Sequence, residues 1–345
     1  MKFDVRQDDS VVSVCLITYN HAPYIRECLD SLLFQETNFP YEICVGEDES
    51  TDGTREICIK YAEKYPDRIN LILRSQSEDG RDAYLSQGVY NYIETTKACS
   101  GKYLALCDGD DAWIDPLKLQ KQFDVMEANP SVSLVHSNYD KIDEASGKRI
   151  NNADKEDTAG LLDGSSRENF IYDLIMRRYP IAASTAFMKT ADVLEIFEKN
   201  KEAFQTCPMG DVTTWCELVN YGSFYYQDEA LGLYRILLES DSNSCSAEKK
   251  YKFVNGASNL GLMVGEKYNL PMEEARSWKI KNCNRYALLS GDFSEIEELR
   301  ANKEYAFPLS EKMIFKACQS KFFRSIAKEL FEFKYRINHR RFNTQ

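Results

Sequence analysis

Over its first 145 residues the chain alternates short apolar, β-branched runs with segments of helical period, and that alternation admits very few folds. Val11 to Tyr19 (VVSVCLITY), Tyr41 to Val45, Ile69 to Leu73, Lys102 to Cys107 and Val132 to Ser137 read as strands. Each is a near-continuous apolar stretch of strand length, the pattern of a strand covered on both faces. Between them, Ile25, Cys28, Leu29, Leu32 and Leu33 recur at helical spacing after Pro23. Thr54 to Tyr65, with Thr51 or Asp52 near its N-cap, and Tyr90 to Ala98 are further helical segments. Asp115-Pro116 supplies a cap and first-turn proline for a helix to about Ala128. The expected class is α/β, a mostly parallel sheet with helices on both faces.

Residues 144–165 are polar and contain glycine, so they read as a long loop or hairpin excursion. Helices are expected near 166–178 and 190–199, a strand near 181–188, a helix from Asp211, and one or two strands within Ser223 to Leu238. From about residue 245 the pattern is helical, broken at Leu270-Pro271, Ser290-Gly291 and Phe307-Pro308. The expected organisation is an α/β domain over 1–240, with halves at about 11–145 and 146–240, then a mainly helical C-terminal region over 241–345.

The net charge of −12 lacks the basic footprint of a general nucleic-acid binder. It leaves open a phosphorylated small molecule whose charge is met by a metal ion. Of eleven cysteines, Cys15, Cys44 and Cys107 lie inside apolar runs, where a thiol behaves as a small hydrophobe. No C-x-x-C pair is present and only three histidines occur, which argues against a zinc site and for a reduced, cytoplasmic protein. The N-terminal MKFDVRQDDS has no apolar segment of signal-peptide length, and no run reaches the ~18 apolar residues of a spanning helix.

Two acidic turns carry the chemistry. Asp48 and Asp52 follow the second strand, and Asp108, Asp110 and Asp111 follow the fourth. Ligands of open parallel sheets bind beyond the carboxyl ends of the strands, so both turns belong on one rim. Three carboxylates in the four residues from Asp108 to Asp111 repel one another when ionised. A hard divalent cation, Mg²⁺ or Mn²⁺, removes that penalty, although an acidic turn can also simply be solvated.

VSVCLITYN, VGEDESTDGT at 45–54 and SGKYLALCDGDDAW at 100–113 together resemble the family-2 glycosyltransferases of GT-A fold, in motif order and strand context, over residues 11–120. The resemblance implies an inverting transfer from a nucleotide sugar. Residues 11–145 would then form the nucleotide-binding half and 146–240 the acceptor half. Thr18, Tyr19 and Asn20 would line the nucleotide pocket, Asp48 would read the base (usually uracil), and Asp108 would face the ribose or the metal's water shell. Asp110 would ligate the Mn²⁺ or Mg²⁺, with Asp111 supporting the turn. Glu47 stands where the family usually has Asp and Glu49 where it usually has Gly, so the match is looser here.

The family's catalytic base opens a helix, which corresponds to Asp211 in MGDVTTW; the alternative is a plain N-cap. Trp215, one turn on, would floor an acceptor sugar or sit in the core. Tyr234-Arg235 matches a pair that precedes a metal-site His in relatives; here that position is Leu237, leaving Arg235 as a phosphate-facing or structural cation.

The implied partners are a nucleotide-sugar donor, with UDP-sugar expected, and a glycan or lipid-linked acceptor in surface polysaccharide assembly. Residues 311–345 interleave Lys and Arg with Phe, Ile and Leu, a basic amphipathic pattern. Such a segment docks on an acidic domain or makes peripheral contact with an anionic membrane. Two other functions are weighed: a nucleotidyltransferase, which the absence of a Gly-rich basic phosphate loop disfavours, and a silent nucleotide- or carbohydrate-binding module.

Overall fold

In a computed structural model, the structure describes residues 10–77, 80–84, 86–153, 171–172, 181–237, 240, 247–302, 305 and 307–330. The chain divides into two compact units, residues 1–142 with 148–236, and residues 143–147 with 237–345.

The first unit is built on a sheet. Its parallel part runs in the order β3 (Ile69–Leu73), β2 (Tyr41–Glu47), β1 (Val12–Thr18), β4 (Tyr103–Asp108). The sheet continues through β8 (Phe187–Lys189), β6 (Val132–Asp143), β9 (Ser223–Ile236) and β5 (Ala112–Trp113), with β7 (Lys148–Ile150) beside β6. There β4–β8, β6–β8 and β5–β9 pair antiparallel, so the parallel order that alternation predicts holds for only one part of the sheet.

Period-2 alternation explains how the sheet is covered on both faces. Val12, Val14, Leu16, Ile43 and Val45 point into a core shared with α1 (Ile25–Leu33), α2 (Thr54–Lys64) and α4 (Lys118–Ala128). The intervening Cys15 and Cys44 face the other way, where Cys15 Sγ lies 3.6 Å from Thr96 Oγ1 at the end of α3 (Gln87–Thr96) and Cys44 Sγ meets the Ala98 carbonyl. Gly46 keeps that face tight: a Cβ there would sit 2.0 Å from Thr95 Oγ1. α5 (Thr190–Lys199), α6 (Lys201–Thr206) and α7 (Gly210–Leu218) complete this unit.

Both prolines expected inside a first helical turn lie just ahead of it instead. α1 begins at Ile25, after a turn holding Pro23, and α4 begins at Lys118, after a turn holding Pro116. Asp115 caps that turn by accepting from the Leu117 N–H at 2.7 Å. The helix expected near 166–178 lies outside the described residues except at Ile171 and Tyr172, which are helical.

The second unit comprises α8 (Ala247–Lys267), α9 (Glu273–Ser290), α10 (Ser294–Ala301), α11 (Leu309–Cys318) and a helical stretch over residues 321–330. Its small core gathers Tyr251, Cys283, Ala287, Ile296, Leu299 and Phe315. Among the described residues no helix is long and apolar enough to cross a membrane.

Candidate active site

Strand register brings the acidic turns together. Thr18 pairs with Glu47 on one side and Ile17 with Asp108 on the other, so β1, β2 and β4 end level. The Asp48 N–H donates to the Thr18 carbonyl at 3.1 Å, and the Gly109 N–H to the Ile17 carbonyl at 2.9 Å. The chain leaves all three strands at one rim, as the topology of an open parallel sheet requires.

The turn after β1 is laced to the turn after β2. Asn20 takes a positive φ of 55°, donates its N–H to Ser50 Oγ and accepts from the Thr51 N–H through Oδ1, both at 2.9 Å. Asp52 accepts from the Thr54 hydroxyl at 2.6 Å, the Ala22 N–H at 2.9 Å and the Thr54 N–H at 3.0 Å, and against the raising effect of partial burial these bonds hold its carboxyl below the usual range. Of the three predicted nucleotide-pocket residues here, Thr18 is buried, Asn20 structures the turn, and Tyr19 presents its ring to solvent.

The two departures in the second turn have physical accounts. Glu47 is fully buried; it accepts from the Ser50 N–H at 2.7 Å and forms an ion pair with Arg55. Glu49 adopts a φ of 60°, the left-handed conformation that glycine takes most readily, and anchors itself by accepting from the Gln76 N–H. Asp48 is buried between them. Its Oδ2 meets Nη2 of the equally buried Arg81 at 2.5 Å, while Oδ1 has no partner among the described residues. Arg81 was not singled out by sequence. It stands in the polar 75–88 stretch, and only the position of that loop beside the β2 rim reveals it.

The DGDD turn is set tightly against β1. A Cβ on Gly109 would lie 2.4 Å from Thr18 Oγ1 and 2.8 Å from His21 Nδ1, so only glycine fits without displacement. Asp111 is buried and accepts from the Arg235 N–H at 2.9 Å. Arg235, at the end of β9, also donates to the Asp110 carbonyl at 2.7 Å and to Glu27 of α1 at 2.5 Å, with its guanidinium over the Tyr24 ring.

Electrostatics unite the rim. Burial, then repulsion from Asp110, Asp111 and Asp211, pushes the Asp108 carboxyl well above its usual range. Burial and Asp110 do the same to Asp111, with Arg235 opposing. Asp211, in the first turn of α7, is also raised, chiefly by burial, against the lowering effect of main-chain hydrogen bonds including that of the Val212 N–H. Desolvation thus outweighs the helix N-terminus at this position. The Tyr234 hydroxyl feels all four of these carboxylates in addition to its burial, which raises it further.

Trp215 is fully buried. Its ring backs α7 from the core, the second of the two positions open to it. Behind α7, Tyr92 closes the wall: its ring would lie 2.9 Å from a Cβ at Gly210, and its hydroxyl is 3.3 Å from Thr214 Oγ1.

Among the described residues no three His, Cys, Asp or Glu side chains are grouped to hold a metal ion by themselves. Asp110 offers one partly exposed carboxylate, with His21 Nε2 4.0 Å from its Oδ1. One carboxylate beside repelling neighbours fits a hard divalent cation that takes its other ligands from phosphate and water.

Known proteins share this frame. The model of the family described as Glycosyl transferase family 2 matches residues 13–188. An uncharacterized protein of Mycobacterium tuberculosis is 42% identical over 123 residues, 36% of this chain and 33% of that relative. The match therefore spans about a third of that relative's length. TuaG of Bacillus subtilis, a glycosyltransferase named for teichuronic acid biosynthesis, is 28% identical over 256 residues, 71% of this chain and 86% of TuaG. S. aureus TarS 1–349 in complex with UDP-GlcNAc superposes with a TM-score of 0.52 at 16% identity, covering 91% of this chain and 92% of that one, a likeness of GT-A fold.

Proposed function

The chain belongs to glycosyl transferase family 2, and from that membership we propose that it moves one sugar from a nucleoside diphosphate donor to a glycan acceptor with inversion at the anomeric carbon. A UDP-sugar is the donor we favour, and a lipid-linked glycan of a surface polysaccharide the acceptor. TuaG carries the name of teichuronic acid biosynthesis. An Escherichia coli relative, 29% identical over 135 residues, 39% of this chain and 48% of its own length, is named as a glucosyltransferase acting from UDP-Glc on a diphosphoundecaprenol-linked sugar.

The observation that carries the reading is the level ending of β1, β2 and β4. It gathers Asp48, with one unpartnered buried oxygen, and Asp108 within the electrostatic reach of Asp211. Asp48 Oδ1 is the acceptor for a base N–H, which a uracil ring supplies. Asp108 faces the ribose, and Thr18, Tyr19 and Asn20 border the pocket. Asp110 would hold a divalent cation, which when bound stabilises the charge developing on the departing diphosphate.

The reaction needs two further things from the chain. One is a group that takes the acceptor's proton. Asp211 receives it as the hydroxyl oxygen forms its bond to the anomeric carbon and the bond to the diphosphate breaks. A carboxylate raised by burial is a stronger base than a solvated one, which suits this work. The other is a rigid turn, which the Arg235 and Asp111 bonds provide.

The deciding experiment incubates a panel of sugar nucleotides with the protein, in Mn²⁺ and in chelator, and follows slow donor hydrolysis. Turnover of one UDP-sugar that stops with chelator and with Asp110→Ala is expected. Metal-independent turnover, or preference for a purine donor, overturns the cation and base assignments respectively.

A further inference from the structure

The helix over residues 321–330 is oriented against the habit of soluble proteins. Phe322, Phe323, Ile326 and Leu330 form one stripe at helical spacing, and Lys321, Arg324 and Lys328 form the other. An amphipathic helix in water packs its apolar stripe on a core. Here Phe322 is 68%, Phe323 52% and Leu330 62% exposed. The side chain turned inward is Arg324, which donates to the Cys318 carbonyl at 2.7 Å and spreads its guanidinium over the Phe293 ring.

α11, immediately before it, adds to the same pattern. Its inward side is Glu311, Phe315 and Cys318, while Leu309, Met313 and Ile314 are exposed beside exposed Lys312 and Lys316. Of thirteen large apolar side chains exposed among the described residues, seven fall within 309–330. Scattered apolar exposure is ordinary, whereas a cluster of this density marks a surface that is covered in use.

We propose that the outward sides of α11 and of the 321–330 helix dock on an anionic lipid bilayer. The charges select this occupant. Lys312 and Lys316 flank the exposed Leu309 and Met313 of α11, and Lys321 and Lys328, on the stripe away from the Phe side chains, are exposed as well, against a single exposed acid, Glu329, in the 321–330 helix. The surface thus presents a net positive charge and hydrocarbon together, the combination that a headgroup and acyl boundary satisfies. A symmetric pair of copies would bring these lysines against their own counterparts. In this arrangement the Phe322 and Phe323 rings enter below the headgroups.

This inference goes beyond sugar transfer and is read without turnover. The full-length protein is centrifuged with vesicles of phosphatidylcholine alone and of phosphatidylcholine mixed with phosphatidylglycerol, at low and high salt. It is expected to sediment with the anionic vesicles only and to be released by salt. Lys321→Gln and Lys328→Gln each weaken partitioning about fivefold. Phe322→Ser with Phe323→Ser weakens it about tenfold or more, with thermal melting and UDP binding unchanged in all three. Equal sedimentation with neutral vesicles overturns the proposal. So does undiminished vesicle binding by the Phe322→Ser/Phe323→Ser variant. A fall in that variant's solution mass by light scattering, with vesicle binding retained, would make the surface a protein interface instead.

Discussion

Arg81 Nη2 lies 2.5 Å from Asp48 Oδ2, and both side chains are buried at the β2 rim. An ion pair out of water is costly to break from one side, because the remaining charge has neither solvent nor partner. Arg81→Met should therefore destabilise the protein by about 3 to 5 kcal/mol. Arg81→Met with Asp48→Asn, which removes both charges, should recover a large part of that loss. Urea unfolding of the two variants measures it. Recovery is the discriminating result: if the double variant is no more stable than Arg81→Met, the loss comes from packing and the pair is not the cause.

The Arg235 brace predicts a split between two variants. Its guanidinium reaches the Asp110 carbonyl and Glu27, but Glu27 is largely exposed, so the ion-pair half contributes little. Positioning of the turn that carries Asp110 is what the site loses when the guanidinium goes. Arg235→Gln should lower metal-dependent donor turnover by ~10- to 100-fold, the range for partners that orient a ligand. Glu27→Gln should change it by less than about threefold. Steady-state hydrolysis with saturating Mn²⁺ separates them, and equal losses would show that the Glu27 contact does the positioning.

The sheet and its rim were legible because they rest on local signals. Apolar runs of strand length set β1 to β4, and acidic residues directly after β2 and β4 had to emerge together once those strands were parallel. What stayed hidden depends on contacts distant in sequence. Arg81 looks like any polar loop residue until it meets Asp48, 33 positions away. Arg235 and the DGDD turn are 124 and 125 positions apart through the two bonds that join them. Trp215 shares a helical face with Asp211 by spacing, yet spacing carries no information on which side of α7 meets the core. The prolines misled for a different reason: a proline suits the turn ahead of a helix as well as its first residue, and nothing local separates Pro23 or Pro116 from that alternative.

Gly109 gives the most economical test of the rim geometry. A single methyl group at this position meets Thr18 Oγ1 at 2.4 Å and Thr18 Cβ at 2.7 Å, both on a buried residue that cannot move aside. Gly109→Ala should cost about 1 to 3 kcal/mol by overpacking and should displace Asp108 and Asp110 enough to remove donor turnover. Gly80→Ala is the control: its φ of 82° is strained for alanine, but an added Cβ there meets nothing within 4 Å. It should lose stability without losing turnover. Retained turnover in Gly109→Ala would mean that the turn tolerates displacement and that the close fit is incidental.

Asp211 ties stability to activity with opposite signs. Burial raises its carboxyl, so the folded state holds the proton more tightly than the unfolded chain does. Stability then falls as pH rises from the unfolded value near ~3.9 through the raised folded value, and above that the ionised carboxylate destabilises the fold in full. Asparagine does not titrate. Asp211→Asn should therefore unfold at a higher temperature than the parent at pH 7, and the difference should vanish below about pH 4. The same variant should abolish sugar transfer while holding UDP-sugar affinity within about twofold, since the proton acceptor is missing and the donor contacts are not. Asp108 is raised in part by the Asp211 charge, so removing that charge also eases the ionisation of Asp108 and adds to the variant's gain at pH 7. If the two proteins melt alike at every pH, Asp211 is not a desolvated carboxylate, and its raised basicity no longer supports its part in the reaction.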